Sequence, residues 1–242
     1  MVHLISYISM LGVAVGTAAL IIVLSVFNGF ENLVLSLYNS FDPAIKITAL
    51  EGKAFQANEV SSVLNERNLL YSEVLEEKVL LKYEDKEYIA TLKGVDENYK
   101  MLNNVDSMLV AGDYFEGYES NHTAIVGQGV AYYLSMGLGD MMNPLQVFVP
   151  KRRNKHLLKP ENVFSQSGLN PVGVFSIQAD FDATYVITSL AYVRELLERT
   201  DEVSALEIHC ADEEMEVLQQ ELQEILDNKY HVQHRYQQHA FL

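Results

Sequence analysis

Residues 4–27 read LISYISMLGVAVGTAALIIVLSVF, a run of 24 residues without a charged side chain. As an α-helix rising about 1.5 Å per residue, the run is long enough to cross the hydrocarbon layer of a bilayer, about 30 Å thick, with some tilt. A cleavable signal peptide fits less well, because no Lys or Arg precedes the run and no small-residue cleavage pattern follows it. A buried core helix is a third alternative. We predict a transmembrane helix over residues 1–27.

Two glycines inside this run, Gly12 and Gly16, have the small-xxx-small spacing that lets two helices approach closely in lipid. The spacing predicts a helix-packing contact. Because glycines are common in membrane helices, an incidental pair explains it equally well.

The helical pattern continues beyond the apolar run as a one-sided stripe. Its members recur at helical spacing and are Phe30, Leu33, Val34, Leu37 and Phe41. Asp42-Pro43 then ends the pattern. We predict a stalk helix over 28–43, although an ordinary helix of the soluble domain has the same pattern.

The charge of the 242-residue chain limits its partners. It carries 33 acidic and 17 basic side chains, for a net charge of -16. A surface this acidic repels a phosphate backbone, so nucleic acid is not expected as a partner. The single cysteine, Cys210, excludes an internal disulfide.

The rest of the chain alternates short strands and helices, the pattern of an α+β fold. Strands are predicted at 44–50, 79–83, 88–92, 123–127, 145–150, 171–177, 184–188 and 203–210, and helices at 57–67, 129–138, 189–199 and 212–227. A long polar excursion over 151–169 interrupts the second half of the chain.

Signatures of catalysis or of cofactor binding are weak. Gly127-Gln128-Gly129 lacks the third glycine of a dinucleotide site and is better explained as a strand-to-helix turn. His231 and His234 lie in a polar tail without a carboxylate-backed helix, so solvated histidines are favoured over a metal site. We expect no catalytic residue, no metal and no cofactor.

The excursion opens with a dense basic segment, KRRNKHLLK over 151–159, which holds five of the 17 basic residues. It mixes cations with apolar residues and a proline, the composition of a binding projection. The predicted partner-binding loop consists of Lys151, Arg152, Arg153, Lys155, Leu157, Leu158, Lys159 and Pro160. A charge-balancing loop on an acidic body is the alternative.

Several motifs resemble the first span and large extracytoplasmic domain of lipoprotein-releasing (Lol-type) ABC transporter permeases, within the wider MacB/FtsX-like superfamily. They are SVFNGFE at 25–31, KGVDENY at 93–99, GQGVAYYLSMGLGD at 127–140 and the run at 172–197. The resemblance covers nearly the whole chain. The chain lacks the basic amphipathic segment that such permeases have before the first span, and it ends where they enter a second one, so we expect it to be part of a longer permease.

The resemblance implies a membrane-anchored protein of the inner membrane with a cytoplasmic N-terminus and a two-part periplasmic domain. A porter-like α/β half would comprise 44–117 and 201–232, a mostly-β inserted half 118–200, and a tail 233–242. In the family member that recruits the periplasmic lipoprotein carrier, a hook loop with a proline follows the strand that matches VFVP here. The segment Lys151–Pro160 occupies the corresponding position here, and KHLLKP is the part of it that most resembles the hook loop.

The expected function is therefore a non-enzymatic part of a transporter. A separate cytoplasmic ATPase subunit would hydrolyse ATP, and a second permease copy or paralogue would complete the transporter. The domain would hand over lipoproteins to a periplasmic carrier, and the stalk stripe would serve either as the path of the acyl chain or as a packing surface. The alternatives are a division-type permease that binds a cell-wall hydrolase, and a toxin or drug efflux permease.

Overall fold

The computed structural model describes residues 2–39, 42–115, 117, 122–139, 143–151, 164–226 and 229–238. The chain divides into two units, a helix over Met1–Asn39 and a compact domain over Ser40–Leu242. Helices and strands are mixed throughout the domain, which confirms the predicted α+β class.

The first unit is one continuous helix, α1, from Val2 to Asn39. Within it, Ser6–Phe30 has a mean hydropathy of 2.5 over 25 residues, so its length and composition suit it to cross a membrane. None of that window is buried, as expected for a surface that meets lipid. The helix runs without a break from the predicted span into the predicted stalk and ends at Asn39, before the predicted stalk end at 43.

The domain contains seven further α-helices and twelve strands among its described residues. The strands are β1 Ile45–Ala49, β2 Phe55–Gln56, β3 Tyr71–Tyr83, β4 Lys86–Val95, β5 Leu109–Gly112, β6 Thr123–Gly127, β7 Leu145–Pro150, β8 Phe164–Phe175, β9 Tyr185–Ser189, β10 Glu202–Val203, β11 Ala205–Ile208 and β12 Tyr230–His234. The helices are α2 Ala57–Glu66, α3 Tyr99–Leu102, α4 Gln128–Leu134, α5 Ala179–Asp182, α6 Leu190–Leu197, α7 Met215–Ile225 and α8 Arg235–Gln238, with a 3₁₀ helix at Asn104–Met108.

Six strands pair in a closed ring. The order is β3, β4, β9, β6, β8 and β7, and β7 pairs back with β3. All six contribute apolar residues to one buried cluster, for example Leu81, Leu92 and Val147, which is completed by α4 and α6. Because alternate residues of a strand point to opposite faces, this cluster fills the inside of the ring and the residues between its members point outward.

Three further strands extend the sheet beyond β3 in the order β11, β1, β12, while β5 pairs with β8, and β10 pairs with β2 in a separate two-stranded sheet. Helices α2 and α7 cover one face of this extension and bury a second cluster that includes Ile47, Leu64 and Leu222. A third cluster, with Tyr99 and Phe175, lies under the connection between β4 and β6, on the outer face of the ring. Strands β3 and β4 belong to the predicted porter-like half yet also complete the ring, and the boundaries at 118 and 200 stay a prediction.

Most predicted elements occur within a few residues of their expected positions, and three differ. The polar excursion ends earlier than expected, because β8 begins at Phe164 and not at Pro171. The histidines expected in a polar tail lie in strand β12, where His231 is exposed and His234 half-buried. Strand β3 begins at Tyr71, whereas the sequence predicted its start at 79.

Candidate partner-binding surface

An apolar row crosses the outer face of the ring. Leu80 on β3 lies directly opposite Ile89 on β4 and Phe148 on β7, so the three side chains are neighbours on one face. Ile89 is 70% exposed, and Leu80 and Phe148 are half-buried. We call Leu80, Ile89 and Phe148 the outer row.

Polar and cationic side chains flank the outer row. Lys78 and Lys82 lie two residues before and after Leu80 on β3, hence on the same face. Lys82 is 4.0 Å from Glu87, while Gln166 donates a hydrogen bond of 3.0 Å to Gln146 next to Phe148. An apolar centre with a polar, partly cationic rim is the composition of a protein–protein interface.

The predicted partner-binding loop joins two strands that run alongside this row. Pro150 at the end of β7 pairs with Phe164 at the start of β8, and Phe164 is 54% exposed. Lys151 follows β7 and lies 3.5 Å from Glu198 at the end of α6. Since both side chains are largely exposed, this ion pair contributes little to stability. The other loop residues, 152–160, fall outside the described residues.

A cavity of about 300 Å³ lies at the base of these strands, between β8 and α6. Ser165 and Ser167 line one side of it, and Tyr192, Glu195 and Glu198 line the other. Burial raises the pKa of Tyr192 to about 12, so its phenol stays protonated at neutral pH. The cavity therefore offers hydrogen-bonding groups and two carboxylates, without an activated nucleophile.

A buried ion cluster lies further along the same outer face, near the third apolar cluster. The Lys93 ammonium is 2.8 Å from the Glu207 carboxylate and 3.6 Å from that of Glu76, which also lies 3.7 Å from Lys46. Lys93 and Glu207 are 1% and 0% exposed. The ring of Tyr99 lies 4.9 Å from the Lys93 ammonium.

The pKa values of Lys93 and Glu76 keep these two groups charged at neutral pH. Burial opposes the charge of Lys93, but the combined effect of its neighbours, Glu207 first, outweighs burial and raises the pKa of Lys93 well above its ordinary value of 10.5. Burial also opposes the charge of Glu76, yet Lys46 and Lys93 leave its pKa below 4.5. Such a cluster fixes strands relative to one another, and neither Lys93 nor Glu76 is poised to exchange a proton near pH 7.

Helix α1 carries the other predicted residues except Phe41. Phe30 is 65% exposed, and the positions of Gly12 and Gly16 have open space around them. Leu33, Val34 and Leu37 lie within the helix, but their side chains, like all of Phe41, are outside the described part of the chain. The roles assigned to the stripe and to the glycine pair stay predictions.

The glycines of Gly127-Gln128-Gly129 are explained by packing. A Cβ atom at Gly127 would lie 2.2 Å from the Asp182 carbonyl oxygen, and one at Gly129 would lie 2.8 Å from the Ala183 Cα atom. These glycines let the turn between β6 and α4 approach the backbone of α5. Among the described residues, no group of three or more His, Cys, Asp or Glu side chains is placed to hold a metal ion.

The outer row was missed at the sequence level. The sequence indicates a polar hairpin turn over 84–87, and in the structure the turn is shorter, with Tyr83 opposite Lys86, which sets Leu80 opposite Ile89. The pairing of Leu80 with Phe148 joins positions far apart in the chain, and no local pattern specifies it. The sequence therefore showed two apolar strands without showing that their outward positions form one surface.

Comparison with known proteins gives a consistent result. A family model described as MacB-like periplasmic core domain matches residues 6–225. The chain is also 22% identical over 186 residues to the lipoprotein-releasing system transmembrane protein LolC of Buchnera aphidicola subsp. Schizaphis graminum (strain Sg), which covers 74% of this chain and 44% of LolC. The chain thus spans less than half the length of this relative.

Two solved structures share the fold. The periplasmic region of MacB from Actinobacillus actinomycetemcomitans superposes with a TM-score of 0.55 at 12% identity, covering 83% of this chain and 92% of that one. The extracellular domain of the noncanonic ABC-type transporter YknZ from Gram-positive bacteria gives a TM-score of 0.53 at 11% identity, covering 78% and 98%. At these identities the likeness concerns the fold alone.

Proposed function

The chain belongs to the MacB-like periplasmic core domain family, and on that basis we propose that it forms the first span and periplasmic domain of an ABC transporter permease that releases lipoproteins from the inner membrane. Its N-terminus is then cytoplasmic and its domain periplasmic. The similarity to LolC over three quarters of the chain is the observation that favours lipoproteins as the cargo. The motifs SVFNGFE and KGVDENY support the same assignment.

In this proposal the domain is a mechanical part and catalyses no reaction. A separate cytoplasmic subunit binds and hydrolyses ATP, and a second permease copy or paralogue completes the membrane complex. Motion of the spans reaches the domain, which moves or hands over an acylated protein. The apolar stripe from Phe30 to Phe41 offers the acyl chain a surface along which to leave the bilayer.

The outer row and the basic segment together form the proposed contact with a periplasmic lipoprotein carrier. The row supplies apolar area, and Lys78, Lys82 and the segment 151–160 supply positive charge on an otherwise acidic chain. Positive charge beside an apolar patch speeds association with an acidic partner and fixes the orientation of that partner. The position of Phe164 extends the apolar area to the base of the segment.

Site-specific photo-crosslinking in the full-length permease, in its native envelope, tests this proposal. The crosslinker is placed at Arg153, Leu157 and Lys159 in the segment and at Ile89 in the outer row, with Val217, exposed on α7, as the control position. Captured proteins are identified by mass spectrometry.

A soluble lipoprotein carrier, or lipoproteins, captured from the four test positions and absent at Val217 would support the proposal. Capture of a cell-wall hydrolase would instead assign the chain to a division-type permease. Capture of an efflux adaptor would assign it to toxin or drug export. Equal capture at Val217 would show that the surface has no selectivity.

A further inference from the structure

Strand β12 forms one end of the ten-stranded sheet. It pairs with β1 from Ile45↔His234 to Ala49↔Tyr230. Only one edge of β12 is used in this pairing, so the backbone groups that point the other way need partners of their own. An edge of this kind is a template for strand addition by another chain.

Side chains of α7 take the place of a further strand at this edge. Gln223 accepts a hydrogen bond from the Val232 amide at 3.0 Å and donates one to the Tyr230 carbonyl at 3.0 Å. Gln219, one turn earlier, donates to the Val232 carbonyl at 2.8 Å. Gln237 of α8 accepts from the His234 amide at 3.4 Å. Amide side chains thus bind outward-pointing groups of three alternate residues.

The strand itself carries few of the features that usually protect an edge. Its sequence, YHVQH, contains no proline, no lysine and no acidic residue, although the chain as a whole has a net charge of -16. Its outward groups are also self-complementary. Val232 directs both its amide and its carbonyl outward, so two copies of β12 can pair antiparallel about Val232, with Tyr230 of each opposite His234 of the other.

We propose that Gln219, Gln223 and Gln237 act as an edge guard: they occupy the hydrogen-bonding groups of β12 and keep a second copy of this chain from adding its own β12 to the sheet. This role is independent of the proposed function. It matters for any protein that a membrane concentrates in two dimensions, because strand pairing between domains would then be favoured by proximity.

The test removes the guard and leaves the core in place. In the full chain in detergent micelles, with Cys210→Ser as background, the double variant Gln219→Ala/Gln223→Ala is compared with Gln220→Ala, an exposed glutamine on the same helix. Hydrogen exchange at the Val232 amide is expected to become about fivefold faster in the double variant only, since an average hydrogen bond contributes about that factor.

Association is measured in the same proteins through His231→Cys, an exposed position of β12, with a short bismaleimide crosslinker. The double variant is expected to give crosslinked dimers whose yield rises with concentration, while the Gln220→Ala protein stays uncrosslinked. The edge-guard role is overturned if the double variant exchanges faster yet yields no more dimer than the control. The role is also overturned if the Gln220→Ala protein, which retains Gln219 and Gln223, gives as much crosslinked dimer as the double variant.

Discussion

The Lys93 ammonium lies 2.8 Å from the Glu207 carboxylate although a whole strand, β3, separates their strands β4 and β11. The lysine side chain reaches across β3 on the outer face of the sheet to make this contact. The pair therefore ties three strands together, and Lys46 extends the connection to β1 through Glu76.

Removing one partner of this pair is expected to be costly. Lys93→Met leaves the Glu207 carboxylate buried and unpaired, so the free energy of unfolding should fall by about 3–5 kcal/mol. The double variant Lys93→Met/Glu207→Leu should recover most of that loss. Urea titration followed by circular dichroism measures both, with Arg67→Met as control, since its exposed pair with Glu221 is worth about 1 kcal/mol or less. A double variant as unstable as the single one would contradict this account.

The same cluster predicts how stability depends on pH. Because the pKa of Glu76 is lowered in the folded state, the stability that its charge contributes is present above 4.5 and is lost as the pH falls below that value. The pKa of Lys93 is raised, so its contribution is present below 10.5 and is lost only at more alkaline pH. Urea midpoints measured from pH 7 to pH 3 should fall less steeply for Glu76→Gln than for the unmodified chain. Parallel curves would show that Glu76 is not coupled to folding.

Gly127 is expected to tolerate no side chain. Gly127→Ala places a Cβ atom 2.2 Å from the backbone oxygen of Asp182, so α5 must shift and stability should fall by about 1–3 kcal/mol. Gly137→Ala is the matched control, because a Cβ atom there meets nothing within 4 Å. The melting temperatures of the two variants are compared. A larger fall for Gly127→Ala than for Gly137→Ala separates the effect of the backbone clash from a general effect of replacing glycine.

The outer row gives a prediction about partner binding. Ile89→Asp places a charge in the apolar centre of the proposed contact and should lower the yield of carrier crosslinked from Leu157 by about tenfold or more, as for a central interface residue. Because Ile89 is 70% exposed, the melting temperature should change little. Ile225→Asp, exposed elsewhere on the domain, serves as control and should leave the crosslink unchanged.

The stalk stripe is tested through transport. Leu37→Asp should block lipoprotein release while ATP hydrolysis by the assembled transporter continues, because a charge on the stripe opposes passage of an acyl chain. Release and ATP hydrolysis are measured on the same membranes. Unchanged release would remove the stripe from the proposed cargo path.

The sequence was sufficient for short apolar runs with clear boundaries. The runs TAIVG and LQVFVP were predicted at the positions where β6 and β7 occur, because apolar residues and turn signals bound them on both sides. The start of β8 was missed since FSQSGLN has small and polar residues at both inward and outward positions. Strand β12 was missed for a related reason, because only Tyr230 and Val232 are buried and histidines and a glutamine occupy the other positions.

The candidate surface was predictable only in part. A dense cationic segment is a property of composition, and the sequence located it at 151–159. The outer row and the ion cluster of Lys93 depend on contacts between residues far apart in the chain, and the glutamine contacts depend on how α7 packs beside β12. Local periodicity predicts on which face of a strand a side chain lies. The side chains that it contacts on that face depend on the pairing of strands that are distant in sequence.

Each strand of the closed ring is paired on both sides, so the ring holds its shape without help from the connection between β7 and β8. A foreign peptide spliced into that connection should add little to the cost of folding, because doubling the length of a flexible loop costs only about 0.6 kcal/mol. The ring is in that sense a display scaffold. An epitope or a designed binding loop could be grafted into the connection between β7 and β8 in this way.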